Sequence, residues 1–162
     1  FNSGQIHHRK EQEFKIALAE VGFMQKSDAA VNFDTTAYTV FGIFSIMFPL
    51  RNLKNEIVNF YSIRIKSDNT AYMNQDGGLY PSYPHELTKR LFVVNTVLEA
   101  ATLLESKVLD NKEAVMALNE GKVMPEHEEA IKRLSQLEEV IYVESKIAKV
   151  GKEKIVWDKS KK

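Results

Sequence analysis

Leu91-Phe92-Val93-Val94-Asn95-Thr96-Val97-Leu98-Glu99-Ala100-Ala101-Thr102-Leu103-Leu104 joins an apolar run to an amphipathic pattern through a short polar step. The run predicts a strand over Arg90–Val94, and the pattern predicts a helix over Val97–Ser106. A strand feeding a helix in this way is where α/β folds place their chemistry, just beyond the carboxyl end of the strand. A metal-dependent site at that tip wants a carboxylate, and this chain has Asn95.

The pattern continues on the carboxyl side. A short strand is expected over Ala114–Leu118, a helix over Pro125–Gln136 and a strand over Val140–Val143. Pro125 suits the first turn of its helix, and Glu126, Glu128 and Glu129 complement the positive end. Alternating strands and helices imply a parallel sheet. The lysine-rich stretch after Lys146 is expected to be partly disordered.

The amino-terminal side reads differently. Apolar residues at Phe14, Ile16, Ala17, Leu18 and Val21 predict a short helix with Gly22 at its end. Tyr38–Leu50 is rich in β-branched and aromatic residues and reads as strand, broken near Gly42. Phe41, Phe44, Phe48 and Phe60 are expected in the core. Asn52–Asn55 reads as a hairpin turn, and Glu56–Lys66 alternates with Ile57, Asn59, Tyr61, Ile63 and Ile65 on one parity. Ser67–Leu87, with Gly77-Gly78, Pro81 and Pro84, reads as turns and an irregular connection. Gly77-Gly78 is too short and wrongly placed for a phosphate loop. The expected fold is an α+β subdomain with an antiparallel hairpin over residues 1–86, then an α/β subdomain with a mainly parallel sheet over residues 87–162.

Composition bounds the function without naming it. The 162 residues carry 22 basic and 22 acidic side chains, so net charge favours no class of partner, although a local basic patch is compatible with it. There is no cysteine, which excludes disulfides and thiolate metal sites and fits a cytoplasmic setting. No apolar run approaches the roughly 20 residues of a membrane span. Phe1-Asn2-Ser3-Gly4 has neither a signal-peptide pattern nor an initiator Met, so a fragment of a longer protein is expected. His7-His8 reads as a surface pair, since no cysteine or spaced acid accompanies it.

Several segments together resemble the catalytic core of bacterial DNA primases. Ile46-Met47-Phe48-Pro49-Leu50-Arg51-Asn52 with Glu56-Ile57-Val58 resembles the hairpin before the Toprim domain of that family. Ala71-Tyr72-Met73-Asn74 and Gly78-Leu79-Tyr80-Pro81 resemble the segment that follows the hairpin. Leu91–Leu104 resembles the first Toprim strand and helix. Ala117-Leu118-Asn119-Glu120-Gly121 resembles the next strand and its turn, and Leu137–Val143 resembles the strand that normally ends in Asp-x-Asp. Phe1-Asn2-Ser3-Gly4-Gln5 is similar to the start of this region in primase-like proteins with a zinc-binding amino-terminal domain.

The resemblance implies RNA primer synthesis on single-stranded DNA with Mg²⁺ or Mn²⁺, in a bacterial primase or a related protein of a mobile element. It places the first catalytic carboxylate at Asn95, a following acid at Glu99, and the Asp-x-Asp pair on Glu144-Ser145-Lys146. Asn95 is a weaker, neutral ligand and Lys146 repels a cation, so metal ligation falls to Glu99 and Glu144. The domain also reads as abbreviated, with little between Lys146 and the strand-like Lys154-Ile155-Val156-Trp157. The resemblance further implies a single-stranded DNA or RNA–DNA hybrid partner, helicase or other replication partners through missing domains, and no membrane.

Arg51, Lys54, Arg64 and Lys66, with Tyr72 and Asn74 nearby, are the candidate nucleic-acid contacts: cations meet phosphates and rings stack on bases. Three readings follow. A binding module that has lost the metal is preferred; an active metal-dependent nucleotidyltransferase and a protein-interaction domain are the alternatives. The bland reading of the same residues is a hairpin with solvated ends, a plain strand-end Asn95, an exposed helical Glu99 and a solvated loop at Glu144.

Overall fold

The computed structural model describes residues 1–3, 5, 11–26, 38–67, 69–74 and 77–143, with the backbone alone at Lys26 and Tyr38. His7-His8, Glu144-Ser145-Lys146 and Lys154–Trp157 lie outside the described residues. The chain forms two compact units, one of Phe1–Pro49 with Asn59–Asp76 and one of Leu50–Val58 with Gly77 onward.

In the first unit, helix α1 (Gln12–Glu20) precedes strands β1 (Met24–Lys26) and β2 (Tyr38–Val40), which pair antiparallel. Gly22 follows the helix with φ +81°, the left-handed turn that glycine adopts without a Cβ penalty. The apolar stripe expected on α1 is not its buried side. Phe14, Ile16 and Val21 are exposed, and Lys15, whose methylene stem can fill apolar space, is buried.

Strands β3 (Ser45–Arg51), β4 (Ile57–Arg64) and β5 (Thr70–Tyr72) form a three-stranded sheet in that order. Tyr61 pairs with Tyr72, their rings 4.9 Å apart, and Phe48 lies 6.3 Å from Tyr61. The alternation expected along β4 is only partly the burial pattern: Asn59 and Tyr61 are buried, but so is Ser62, and Ile65 is exposed. Phe44 also departs from its expected core position. It is 50% exposed at φ +54° in the turn between β2 and β3. There its backbone does the holding: the amide donates to Asn2 O and the carbonyl accepts from Ile65 N. Strand β5 lies inside the stretch expected to be irregular. Three residues are too few for a period to show, and it is the pairing with Tyr61–Ile63 that makes them a strand.

The second unit starts from the hairpin tip. Asn52 Oδ1 accepts from Lys54 N and Glu56 N at 2.9 and 3.0 Å, and Asn55 takes φ +64°. These are the properties that make asparagine a turn residue. Arg51 and Leu79 then exchange two backbone hydrogen bonds of 3.0 and 2.9 Å.

Strand β6 (Arg90–Val94) is central, flanked by β7 (Glu113–Ala117) and β8 (Glu139–Val143), and both pairings are parallel. Helix α2 (Val97–Glu105) connects β6 to β7, and α3 (Pro125–Lys132) lies between β7 and β8. Right-handed crossovers to opposite neighbours place the two helices on opposite faces. Burial agrees. Leu91, Val93, Met116 and Leu118 share a core with Ala130 and Leu134, while α2 buries Val97, Ala100 and Leu103. Both faces of β6 are therefore covered, which is why its sequence is a continuous apolar run. Ion pairs clamp the start of the sheet: Arg90 with Glu113, and Lys89 with Glu138. The helix expected over Pro125–Gln136 ends earlier, because the chain tightens into three-residue turns, with Leu134 N donating to Ile131 O and Leu137 N to Leu134 O.

His127 closes the start of α3. Its Nδ1 accepts from Met124 N at 2.8 Å, and its Nε2, 3.0 Å from Ala117 O, donates to that carbonyl. This is the neutral ring with both nitrogens used, and burial pushes its pKa below the ordinary histidine value despite the opposing pull of its two backbone bonds and Glu126.

Two predictions follow from this packing. A Cβ on Gly78, at φ +94°, would stand 2.8 Å from Leu50 Cβ and 3.0 Å from its backbone carbon. Gly78→Ala should therefore cost about 2–4 kcal/mol in urea unfolding. Gly77→Ala, with a similar φ but nothing within 4 Å, should cost less. For His127, the folded value lies below the unfolded one, so the unfolded chain takes up the proton first as pH falls. Stability present above about pH 6.5 should decline below it, and His127→Gln should flatten that part of a thermal-unfolding pH series.

Candidate functional site

The carboxyl end of β6 is where the sequence places its chemistry, and the local fold explains what each side chain there does. Asn95 is exposed, one residue past the buried Val94. Its carbonyl accepts from Gly121 N at 2.8 Å, and Val94 O accepts from Leu118 N at 2.8 Å. The turn Asn119–Lys122, closed by a bridge between those two residues, thus lies across the strand tip. A Cβ on Gly121 would sit 3.6 Å from Asn95 Oδ1, so the Asn95 amide and this turn are neighbours.

Glu99 has a specific job. Thr96 caps α2: its hydroxyl accepts from Glu99 N at 3.2 Å, and Glu99 Oε2 accepts from Thr96 N at 2.9 Å. This is a capping box, in which the carboxylate satisfies a helix-end donor and favours the positive end of the helix. The signal was present in the sequence as Thr96-Val97-Leu98-Glu99. A carboxylate held this way has one oxygen committed to the backbone.

Among the described residues, no three His, Asp or Glu side chains converge to hold a metal ion. Asn95 offers one neutral oxygen, Glu99 is engaged in its cap, and Glu144 lies outside the described residues. Sequence reasoning found the Glu120-Gly121 turn but not its hydrogen bond to the Asn95 carbonyl, and it missed His127. Only position could have found His127, which stands where a capping box carries Glu or Gln.

The six nucleic-acid candidates divide between the units. Arg51 and Lys54 belong to the second. Arg51 Nη1 donates to Asn55 O at 2.7 Å and so braces the hairpin turn, while Lys54 is exposed on it. Arg64, Lys66, Tyr72 and Asn74 belong to the first. Arg64 ends β4 and is exposed, as is Lys66 just beyond. Tyr72 packs on Tyr61, with its β5 neighbour Ala71 opposite Ser62. By strand alternation Tyr72 and Arg64 point to opposite faces of the sheet. The buried Asn59 holds the Asn74 backbone at both polar groups, accepting from its N at 3.0 Å and donating to its O at 3.1 Å.

No family profile and no curated protein matches the sequence. Solved structures do match the fold. A DNA primase domain from Pseudomonas aeruginosa is similar at a TM-score of 0.63 and 14% identity, over 86% of this chain and 44% of that one. The DnaG primase catalytic domain bound to single-stranded DNA gives 0.59 and 16%, over 82% and 41%. The RNA polymerase domain of Mycobacterium tuberculosis primase DnaG, in complex with double-stranded DNA, gives 0.55 and 15%, over 88% and 47%. The chain spans less than half the length of each of these structures. At such identity the fold is what is shared: an antiparallel hairpin sheet followed by a parallel sheet with helices, as in bacterial primase catalytic cores.

Proposed function

We propose that this chain is a primase-like core, with a Toprim-like second part, that binds single-stranded nucleic acid and is impaired in metal-dependent nucleotidyl transfer. The observation that carries the impairment is the strand tip: Asn95 is neutral, and the Glu99 carboxylate closes a helix cap. A divalent metal at such a tip would neutralise phosphate charge, and the ligand positions here supply little negative charge for it. Likeness to primase catalytic domains supports the nucleic-acid partner. The exposed Lys54, Arg64 and Lys66 supply cations for phosphates. Arg51 is assigned to phosphate contact beside Lys54 in the second unit, with the turn contact as its second role. Tyr72 and Asn74 are assigned to positioning the strand of the first unit that ends in Arg64.

The wider setting extends the same reading. It includes the cytoplasm, a bacterial replication system or mobile element, an RNA–DNA hybrid as alternative substrate and a helicase as replication partner. Among the described residues, no helix is long and apolar enough to cross a membrane.

Fluorescence anisotropy of a labelled single-stranded DNA tests the proposal. Binding should be salt-sensitive, with each phosphate contact adding about −0.7 to the slope of log K against log salt. Lys54→Gln with Lys66→Gln should make that slope shallower by about 1.4 and leave unfolding unchanged. Absence of binding at low salt would contradict the proposal, and would leave a protein-interaction role as the surviving reading.

A further inference from the structure

The first unit carries a groove of about 310 Å³, bounded by β1, β2, the turn after β2, β4 and β5. Among the described residues its charge is one-sided. Arg64 is the only ionisable side chain among its described lining residues, and Arg64 has no ion pair among the described residues. An exposed guanidinium with no carboxylate partner among the described residues suits a phosphate, which it can meet with two parallel N–H donors.

The remaining lining is uncharged and divides into two kinds of group. Ser62 Oγ donates to Ala71 O, and Thr39 Oγ1 donates to Gln25 O, both at 3.3 Å. Each hydroxyl has spent its proton, so what it offers the groove is lone pairs, which accept from a sugar hydroxyl or a base N–H. Phe41 and Val40 supply an apolar wall. The volume is at the lower end of small-molecule sites and matches a single nucleotide rather than a longer ligand.

We propose that this groove binds one 5′-phosphorylated nucleoside, free or as a unit of a single strand, with its phosphate on Arg64 and its sugar or base against Thr39 and Ser62. The inference rests on the reading of the chain as nucleic-acid-binding, and it gives Arg64 a role separate from Lys54 and Lys66.

The test is a backbone ¹⁵N–¹H titration of the full chain with AMP, with adenosine, and with a 5′-phosphorylated trinucleotide. AMP should shift the amides of Thr39, Gly42, Ser62, Arg64 and Thr70. Adenosine should bind at least tenfold more weakly, and Arg64→Gln should reduce AMP affinity by about tenfold or more. Arg64 is exposed, so a well-dispersed spectrum of the variant is expected. Shifts with AMP but not with the trinucleotide support a free-nucleotide site, and shifts with both support a strand site. Equal binding of adenosine and AMP, or full AMP affinity in Arg64→Gln, overturns the proposal. Salt-sensitive DNA binding with no AMP shifts at the groove would overturn the groove and leave the proposed function standing. AMP shifts at the groove without any binding of longer single strands would do the reverse.

Discussion

The burial of β6 on both faces is the constraint on which the second unit depends. Leu91 and Val93 turn to the core shared with α3, and Val94 turns the other way, all three at 2% exposure or less. Such a strand cannot slip by one residue without exchanging its two apolar faces and moving Asn95 into the sheet. Its register with β7 and β8 is also held at its start by the Arg90–Glu113 and Lys89–Glu138 pairs. The position of Asn95, the direction of α2 and the turn over the strand tip all follow from that fixed register.

The same constraint explains what could be read from the sequence. Arg90–Val94 was legible because a strand covered on both sides must be apolar throughout, and the following helix announced itself through Val97, Ala100 and Leu103. The hairpin was legible from the asparagines of its turn. Elements three residues long were not. β5 exists only through its partner on β4, and β1 only through β2. Phe44 misled because ring chemistry suggests a core, whereas the backbone reversal between β2 and β3 decides where that ring goes.

The candidate site was legible in identity and less so in role. The neutral residue at the strand tip was plain from Asn95. That Glu99 serves the helix end depended on geometry, although the Thr96–Glu99 spacing signals it. A carboxylate in a capping box has a structural reason to be there, so its presence alone does not argue for a ligand. The placement of the cations also depended on topology: strand alternation puts Arg64 and Tyr72 on different faces of the sheet.

The central proposal is that this primase-like fold carries a strand tip without a tight divalent-metal centre. Electron paramagnetic resonance of Mn²⁺ titrated against the protein at low salt addresses it most directly. The account predicts that the free-ion signal grows in proportion to added Mn²⁺ from the first addition, as in buffer. Loss of the signal up to one equivalent, restored by Glu99→Ala, would show a tight site built on that carboxylate and would contradict the account.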